Sequence, residues 1–211
     1  MSRAFTKIAF TPSVKAAQSL YGSRAAYARF EAGDDAGGTL TSRETEFIRA
    51  RDSFYQATVS ETGWPYVQFR GGPAGFLQVL DERTIGYADF RGNRQYLSVG
   101  NLSTDSRVAL ILMDYPNRRR LKIWGRAQVI HGSENPEWLA RLEMPAYRAQ
   151  VERAIIIAIE AYDWNCPQHI TPRFTEAEIA EAMTDIQQEL AKLKIENAKL
   201  RAALSRKEQM S

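Results

Sequence analysis

Two arginines at the ends of predicted elements carry the clearest chemistry in this sequence. Arg70 ends an alternating, β-like run, and Arg94 follows Gly92 and Asn93 at the predicted start of a helix. A guanidinium group binds an anion such as phosphate through charge-assisted hydrogen bonds, and the free amides at a helix start do the same. The pair therefore predicts a clamp that holds one phosphate group from two sides, with Asn93 capping the helix. The alternative is two surface arginines that form weak ion pairs.

A second set of polar side chains lies in residues 163–174, DWNCPQHITPRF, directly after an apolar run. Trp164 can stack on a ring, and Asn165 or His169 can offer hydrogen bonds to a small molecule. The alternative is a loop that only anchors the C-terminal part of the chain. Nothing in the sequence around Cys166 indicates an activated thiol, so we assign no nucleophile.

Other catalytic chemistries lack their residues. Histidine occurs only at positions 131 and 169, and Cys166 is the single cysteine, so neither a Ser-His-Asp triad nor a zinc site is predicted. The sequence has no P-loop, and no GxGxxG follows a predicted strand. The net charge of +3 is small and, apart from Arg118–Arg120, the basic residues are scattered, which argues against a nucleic-acid partner.

The composition indicates an intracellular globular protein. Apolar residues make up 44% of the 211 residues and charged residues 25%, as in proteins with a packed core. The longest apolar run, residues 154–159, is far too short to span a membrane. The single cysteine fits a reducing compartment, so we expect a cytoplasmic location.

The elements that must position these residues are mostly short strands. Residues 12–30 have an Ala-rich helical pattern that the Gly/Asp-rich residues 31–39 end, which predicts two short lead-in helices. Thr41 and Glu44 have the spacing of a capping box for a helix through Ala50. The following runs then have β character: SFYQATVS, PYVQF, GFLQVL, TIGYA, RVALILM and LKIWGRAQVI. Between the fourth and fifth runs, residues 93–103 have a helical period and predict one helix across a barrel mouth.

The last part of the chain changes from strand to helix. After a helical stretch near residues 136–142, residues 154–162, AIIIAIEAY, predict a buried final strand, with helix as the competing interpretation. From Thr175 onward the sequence is polar and regularly spaced in leucine, which predicts a helix outside the barrel. Its a and d positions form the seam of a coiled coil: Met183, Ile186, Leu190, Leu193, Asn197, Leu200 and Leu204. We therefore expect three parts, residues 1–50, 51–174 and 175–211.

Four pieces between Trp64 and Gly125 occur in a recognisable order: PYVQFRGGPAGFLQVLD, IGYADFRGNRQYLSVGNL, RVALIL and RRLKIWGRA. In this order they resemble the pyridoxamine 5'-phosphate oxidase family of FMN-binding split barrels. The resemblance implies a mainly β fold with flanking helices, built on a six-stranded Greek-key split β-barrel. It also implies a homodimer with two FMN molecules bound across the interface.

The resemblance assigns roles to individual residues. It places phosphate contacts at Arg70 and Arg94, with Asn93 beside them and Gln95 where the family usually has a lysine. For the flavin ring it points to Tyr66, Val67 and Gln68 on one strand and to Tyr87 and Ala88 on the next. Arg120 or Lys122 is expected to reach the flavin of the other subunit, with a solvated hairpin as the alternative. The resemblance also lets Trp164, Asn165 and His169 lie near the partner's flavin and the substrate.

These assignments predict an FMN-dependent oxidoreductase that transfers a hydride at flavin N5 to or from a small substrate, with NADH or NADPH as a candidate electron donor. The C-terminal Arg-x-His substrate motif of pyridoxine phosphate oxidase proper is replaced here, so vitamin B6 is not the expected substrate. One alternative is a non-catalytic protein that stores or senses FMN. Another is a related barrel that binds the deazaflavin F420 or haem, although residues 87–95 favour FMN.

Overall fold

The structure of the protein is a computed structural model that describes residues 2–32, 37–131, 135–164 and 166–208. Within these ranges the chain forms short helices, then a β-rich middle part, then one long helix. In chain order the elements are α1 (Arg3–Ala9), α2 (Pro12–Leu20), α3 (Arg24–Ala32), α4 (Ser42–Arg49), β1 (Ser53–Val59), β2 (Pro65–Gly71), β3 (Gln78–Asp81), β4 (Thr84–Phe90), α5 (Leu97–Thr104), β5 (Arg107–Asp114), β6 (Arg119–His131), α6 (Pro136–Leu142), β7 (Val151–Trp164) and α7 (Glu176–Glu208).

The strands form one antiparallel sheet with the order β2-β1-β5-β6-β7-β4-β3. β5, β6 and β7 are a meander, and the preceding strand β4 lies beside β7, which is Greek-key connectivity. The predicted class, mainly β with flanking helices, is confirmed. The strand count is corrected from six to seven among the described residues, because the four-residue strand β3 adds to the end of the sheet beside β4.

Aromatic contacts show that the sheet closes on itself. Three strands separate β1 from β4 in the sheet, so a flat sheet would hold them roughly 19 Å apart. Instead, the rings of Phe54 on β1 and Tyr87 on β4 have centroids 5.3 Å apart, and the Tyr87 hydroxyl donates to Gln56 Oε1 at 2.8 Å. The strands therefore surround their core as a barrel. Its apolar filling includes Phe76, Leu110 and Ile157, each at most 2% exposed.

The pairing of β6 with β7 contains a close backbone approach at Gly125. The register shifts between Trp124 and Gly125, as it does at a β-bulge. A Cβ atom at Gly125 would lie 2.4 Å from the carbonyl oxygen of Ala158, which no side chain can accommodate. Glycine is therefore required at this position of the predicted LKIWGRAQVI strand.

The helices before the sheet differ in detail from the sequence expectation. Residues 12–30 form two short helices as expected, α2 and α3, and the chain turns between them at Gly22, whose φ is +75°. α1 had no sequence signal; it packs on the barrel through Phe5, whose ring centroid lies 4.4 Å from that of Trp124. The capping contact of α4 is confirmed, since the Thr41 amide donates to Glu44 Oε2 at 3.1 Å.

Residues Thr171–Ser211 form a compact unit separate from Met1–Ile170. This unit contains α7, whose helical conformation confirms the prediction for the C-terminal segment. Along α7 the apolar side chains of Met183, Ile186, Leu190 and Leu193 are 40–59% exposed. No described helix is both long and apolar enough to cross a membrane.

Candidate functional site

The inner face of β2 leads into the candidate site. Tyr66, Gln68 and Arg70 are half-buried and alternate with the exposed Val67 and Phe69, so the first three side chains share one face of the strand. Gln68 is held in place because the Ser98 hydroxyl of α5 donates to its Oε1 at 2.8 Å. Alternation along β2 thus brings two of the predicted cofactor contacts, Gln68 and Arg70, to the same side.

A buried cluster of charges lies beside Arg70. Asp89 at the end of β4 is 4% exposed, and its Oδ1 accepts a hydrogen bond from Arg70 Nη1 at 2.5 Å. Its Oδ2 lies 3.3 Å from Arg153 Nη1 on β7, and the Arg70 and Arg153 side chains are only 14% and 9% exposed. Burial raises the pKa of Asp89, while Arg70 and Arg153 act in the opposite direction. Two fixed cations therefore share one buried carboxylate.

This cluster lines a small cavity at the start of α5. The cavity has a volume of about 50 Å³. That is room for roughly four water-sized groups, since one water needs about 10–15 Å³ by this measure. A phosphate group fits such a space, whereas a flavin ring does not. The lining residues are Tyr66, Gln68, Arg70, Asp89, Phe90, Gly92, Gln95, Tyr96, Leu97, Ser98, Val99, Glu152 and Arg153.

The helix at this cavity starts later than the sequence predicted. α5 begins at Leu97 rather than Asn93, because Arg94 and Tyr96 have left-handed backbones with φ of 63° and 55°. Asn93 does not cap α5, since its Oδ1 accepts from the Gln95 amide in a local turn. The cap residue Tyr96 makes no side-chain capping bond, so the first amides of α5 lack that partner beside the cavity.

Arg94 lies at the rim of this cavity rather than inside it. Its side chain is exposed, and its Nε donates to the Tyr96 hydroxyl at 3.4 Å. The same hydroxyl donates to Glu152 Oε1 at 3.2 Å, and Glu152 does line the cavity. The structure therefore brings Arg70, Gln68 and Gln95 together around the cavity, whereas Arg94 does not line it.

A larger cavity of about 260 Å³ adjoins the first and shares Gln68, Arg70 and Asp89 with it. Two residues predicted to contact a ring, Tyr87 and Ala88, also line it. The side chain of Tyr87 nevertheless belongs to the core, because it is 1% exposed and its hydroxyl bonds to Gln56. Burial raises the pKa of Tyr87 far above its usual value. The Tyr87 side chain is therefore not available for a ligand contact.

Three other predicted residues lie on the outer face of the barrel. Val67 is 60% exposed on β2, opposite to the cavity-facing side chains. Lys122 on β6 lies 3.5 Å from Asp163 Oδ2 and 5.0 Å from the ring centroid of Phe5. Arg120 on the same strand has a buried Nε without a hydrogen-bond partner among the described residues. Within one chain, none of the three lines the two cavities.

Trp164 contacts helix α4, which directly precedes the first strand. Its Nε1 donates to Glu44 Oε1 at 2.6 Å, and its ring lies edge-on to Phe47 with centroids 4.7 Å apart. Burial by itself would raise the pKa of Glu44, but hydrogen bonds from Thr41 and Trp164 lower it overall. His169 is exposed with a φ of 62°. Asn165, the third predicted substrate residue, lies outside the described residues.

The residues that build this site match a known protein family. Residues 40–167, more than half of the chain, match the family model of pyridoxamine 5'-phosphate oxidase. The chain belongs to this family. The matched range includes both cavities, the charge cluster and Trp164, and the family resemblance deduced from the sequence is thereby confirmed. None of the curated proteins compared with the sequence matches it.

Solved structures of several proteins resemble the chain at low sequence identity. An FMN-binding protein from Syntrophomonas wolfei has 14% identity and a TM-score of 0.45, and covers 59% of this chain and 88% of its own. HupZ from Group A Streptococcus has 15% identity, a TM-score of 0.46, and coverage of 64% and 99%. An F420 reductase has 16% identity, a TM-score of 0.42, and coverage of 59% and 98%. At these values the structures add no argument about function.

For this member of the pyridoxamine 5'-phosphate oxidase family, the sequence did not reveal Arg153. The final strand was predicted from Ala154, which left Glu152 and Arg153 outside it, whereas β7 begins at Val151. Arg153 shares its strand face with the core residues Ile155 and Ile157. An arginine in phase with buried isoleucines is the signal that could have found it, since such a charge requires a partner.

Proposed function

We propose that the chain binds FMN and is an FMN-dependent oxidoreductase of the pyridoxamine 5'-phosphate oxidase family. The observation that carries the proposal is the phosphate-sized cavity beside the buried arginine Arg70 and the uncapped start of α5. The residues present fit the cofactor. Arg70 Nε is buried without a hydrogen-bond partner among the described residues, and a phosphate oxygen is the acceptor it needs.

The residues that would hold FMN divide into two groups. Arg70 and the first amides of α5 would bind the phosphate, with Asn93, Arg94 and Gln95 at or near the rim. Gln68, Tyr66, Ala88 and the backbones of Val67 and Tyr87 would lie along the flavin ring. The amide of Gln68 supplies a donor and an acceptor, which suits the alternating polar atoms at the edge of that ring. Bound FMN would supply two-electron chemistry at its N5 atom.

We further propose that two chains form a homodimer with FMN at the interface. The outer face of β2, β1 and β5 supports this, because Val67, Phe69, Tyr55 and Ile111 are 36–60% exposed there. Tyr55 pairs in register with both Phe69 and Ile111, so these side chains form one continuous apolar patch. Such a patch typically marks a protein interface. Arg120 and Lys122 would then reach the partner's flavin.

The substrate would be a small molecule, with Trp164, Asn165 and His169 closest to it in the dimer and NADH or NADPH as electron donor. Trp164 itself contacts Glu44 and Phe47 of α4. The single cysteine of the sequence, Cys166, fits a reducing compartment, and we propose a cytoplasmic location.

The absorption spectrum of the purified protein tests the cofactor. We expect flavin bands at one FMN per chain after reconstitution, and retention of FMN on gel filtration. A protein that takes up neither FMN nor riboflavin would refute the proposal. Binding of F420 or haem in place of FMN would assign the barrel to another cofactor.

Anaerobic mixing with NADH or NADPH then separates an enzyme from a store or sensor. We expect the flavin absorbance to bleach within the time of a catalytic turnover and to return when an oxidising substrate is added. A flavin that stays oxidised with both nucleotides would favour the non-catalytic alternative.

A further inference from the structure

We propose that Arg153 is the second phosphate-binding cation of this chain and that the anion site is built on the buried pair Arg70 and Arg153. This inference rests on the proposed FMN function and deepens it. The sequence alone assigned the second cation to Arg94. Arg153 lies instead inside the phosphate-sized cavity, and Arg94 is exposed outside its lining.

The position of Arg153 is fixed by strand pairing. Arg153 pairs in register with Asp89, and the next inward-facing pair along the same two strands is Tyr87 with Ile155. Arg153 therefore extends the inner face of the barrel by one step beyond the apolar core. Its guanidinium also lies over the ring of Tyr96, with its Cζ 4.9 Å from the ring centroid. Strand register and this ring together hold the guanidinium beside the first turn of α5.

The remaining hydrogen-bond capacity of Arg153 allows it to bind a ligand. A guanidinium group has five N–H donors. Arg153 directs Nη1 to Asp89 and Nη2 to Glu152, which leaves three donors beyond those two contacts. Glu152 is also reached by the Tyr96 hydroxyl at 3.2 Å and by Arg91 Nε at 3.8 Å, so its charge is shared with other donors.

Burial makes this pair of cations selective for an anion with high charge. Asp89 lies between Arg70 and Arg153, Glu152 pairs with Arg153, and the two arginine side chains are only 14% and 9% exposed. Charges in such a place are screened little, so a phosphate oxygen interacts with them more strongly than with the exposed Arg94. The planar guanidinium fork also matches the geometry of phosphate oxygens.

Comparison of FMN with riboflavin tests the assignment, because riboflavin lacks the phosphate. We expect Arg153→Gln to raise the Kd for FMN roughly ten- to a hundredfold, as for loss of a hydrogen bond to a charged group. The Kd for riboflavin should stay within about twofold of the wild-type value, which also shows that the variant is folded. Arg126→Gln is the matched control, since Arg126 is exposed on β6 and pairs with Glu160, and it should change neither constant.

A rescue experiment strengthens the test. Gln95 lines the same cavity, so Gln95→Lys puts a positive charge back beside the phosphate site. In the Arg153→Gln background this change should recover part of the lost preference for FMN. If Arg153→Gln does not fold, Arg153→Lys is measured instead; it keeps the charge beside Asp89 but removes the fork, and should lose part of the preference.

The outcomes separate the two proposals. A wild-type protein that binds no flavin overturns the proposed function. A wild-type protein that prefers FMN to riboflavin, combined with Arg153 variants that keep this preference, overturns the role of Arg153 alone. Equal losses for FMN and riboflavin also overturn it, because Arg153 would then support only the fold.

Discussion

At the scale of single residues, the site depends on charges that the fold buries. Arg70 could be predicted because it ends an alternating run beside turn residues, where an arginine reaches a ligand. Arg153 lies outside the predicted strand, because β7 begins three residues before Ala154, and only its spacing from the buried isoleucines of β7 indicates that it faces inward. Asp89 and Glu152 explain why both arginines are tolerated: a buried guanidinium needs a carboxylate partner, Asp89 pairs with both arginines, and Glu152 pairs with Arg153 as well.

We predict that Arg70→Ala and Arg94→Ala both weaken FMN binding, but to different degrees. Arg70 is buried in the cavity, and its loss should cost about 1.5–3 kcal/mol, roughly ten- to a hundredfold in affinity. Arg94 is exposed, and its loss should cost at most about 1 kcal/mol. Titration of flavin fluorescence measures both, with circular dichroism as the control for folding. Equal effects would mean that Arg94 turns into the cavity when FMN binds.

Glu44 should link the stability of the barrel to pH. Hydrogen bonds from Thr41 and Trp164 hold its pKa below the ordinary value of 4.5, despite burial. A lowered carboxyl pKa stabilises the folded state above the unfolded pKa, and this contribution is lost as the pH falls through the folded pKa. Glu44→Gln should therefore lower the Tm at pH 7, and the difference from wild type should shrink below about pH 4.5.

The matched control for this prediction is Glu46→Gln. Glu46 lies on the same helix α4 but is exposed, so its replacement should leave the Tm nearly unchanged at both pH values. A Tm difference for Glu44→Gln that persists unchanged in acid would show that shape, rather than charge, determines the effect.

At the scale of elements, strands were easier to predict than helices. Each predicted β run became a strand, because inward and outward side chains alternate wherever one face packs on the core.

The start of α5 was misplaced because two left-handed residues, Arg94 and Tyr96, interrupt a segment whose composition suits a helix. A left-handed backbone at such residues leaves no periodic pattern in the sequence. The short helix α1 was missed since seven residues carry too little pattern.

α7 should pair with a second α7 as a parallel two-stranded coiled coil. Met183, Leu190, Asn197 and Leu204 would occupy a positions, and Ile186, Leu193 and Leu200 the d positions, although the side chain of Leu204 is outside the described ones. The exposed seam supports this, and a buried Asn at an a position favours two parallel strands at some cost in stability. Asn197→Leu should therefore raise the Tm and permit higher oligomers, as measured by scanning calorimetry and light scattering.

Crosslinking checks the orientation of the coil. In a Cys166→Ser background, Asn197→Cys should form a disulfide between two chains, because equivalent a positions face each other in a parallel coil. A pair at Glu196 and Arg201 between the chains would add only about 0.2–1 kcal/mol if exposed. Absence of the crosslink under oxidising conditions would exclude the parallel arrangement.

At the scale of the whole molecule, the barrel should dimerise without α7. A chain ending at Thr175 should remain an FMN-binding dimer, because the apolar patch around Phe69 and Val67 lies on the barrel itself. In this shortened chain, Phe69→Glu should produce monomers, since a charge placed in an apolar interface remains unpaired. Leu20→Glu is the control: Leu20 is 77% exposed on α2 and outside the patch. Light scattering reports the mass, and a Phe69→Glu dimer would place the interface elsewhere.

The position of β7 in the sheet determines when the barrel can be completed during synthesis. β7 is the last strand to leave the ribosome, yet it lies between β6 and β4. Before it appears, the hairpins β1–β2, β3–β4 and β5–β6 can form, but the inner edge of β4 has no partner and Asp89 lacks Arg153. An unpaired strand edge readily accepts a strand from another chain. Until residue 164 has emerged, the edge of β4 in a nascent chain on a crowded polysome is therefore open to β7 from a neighbouring copy.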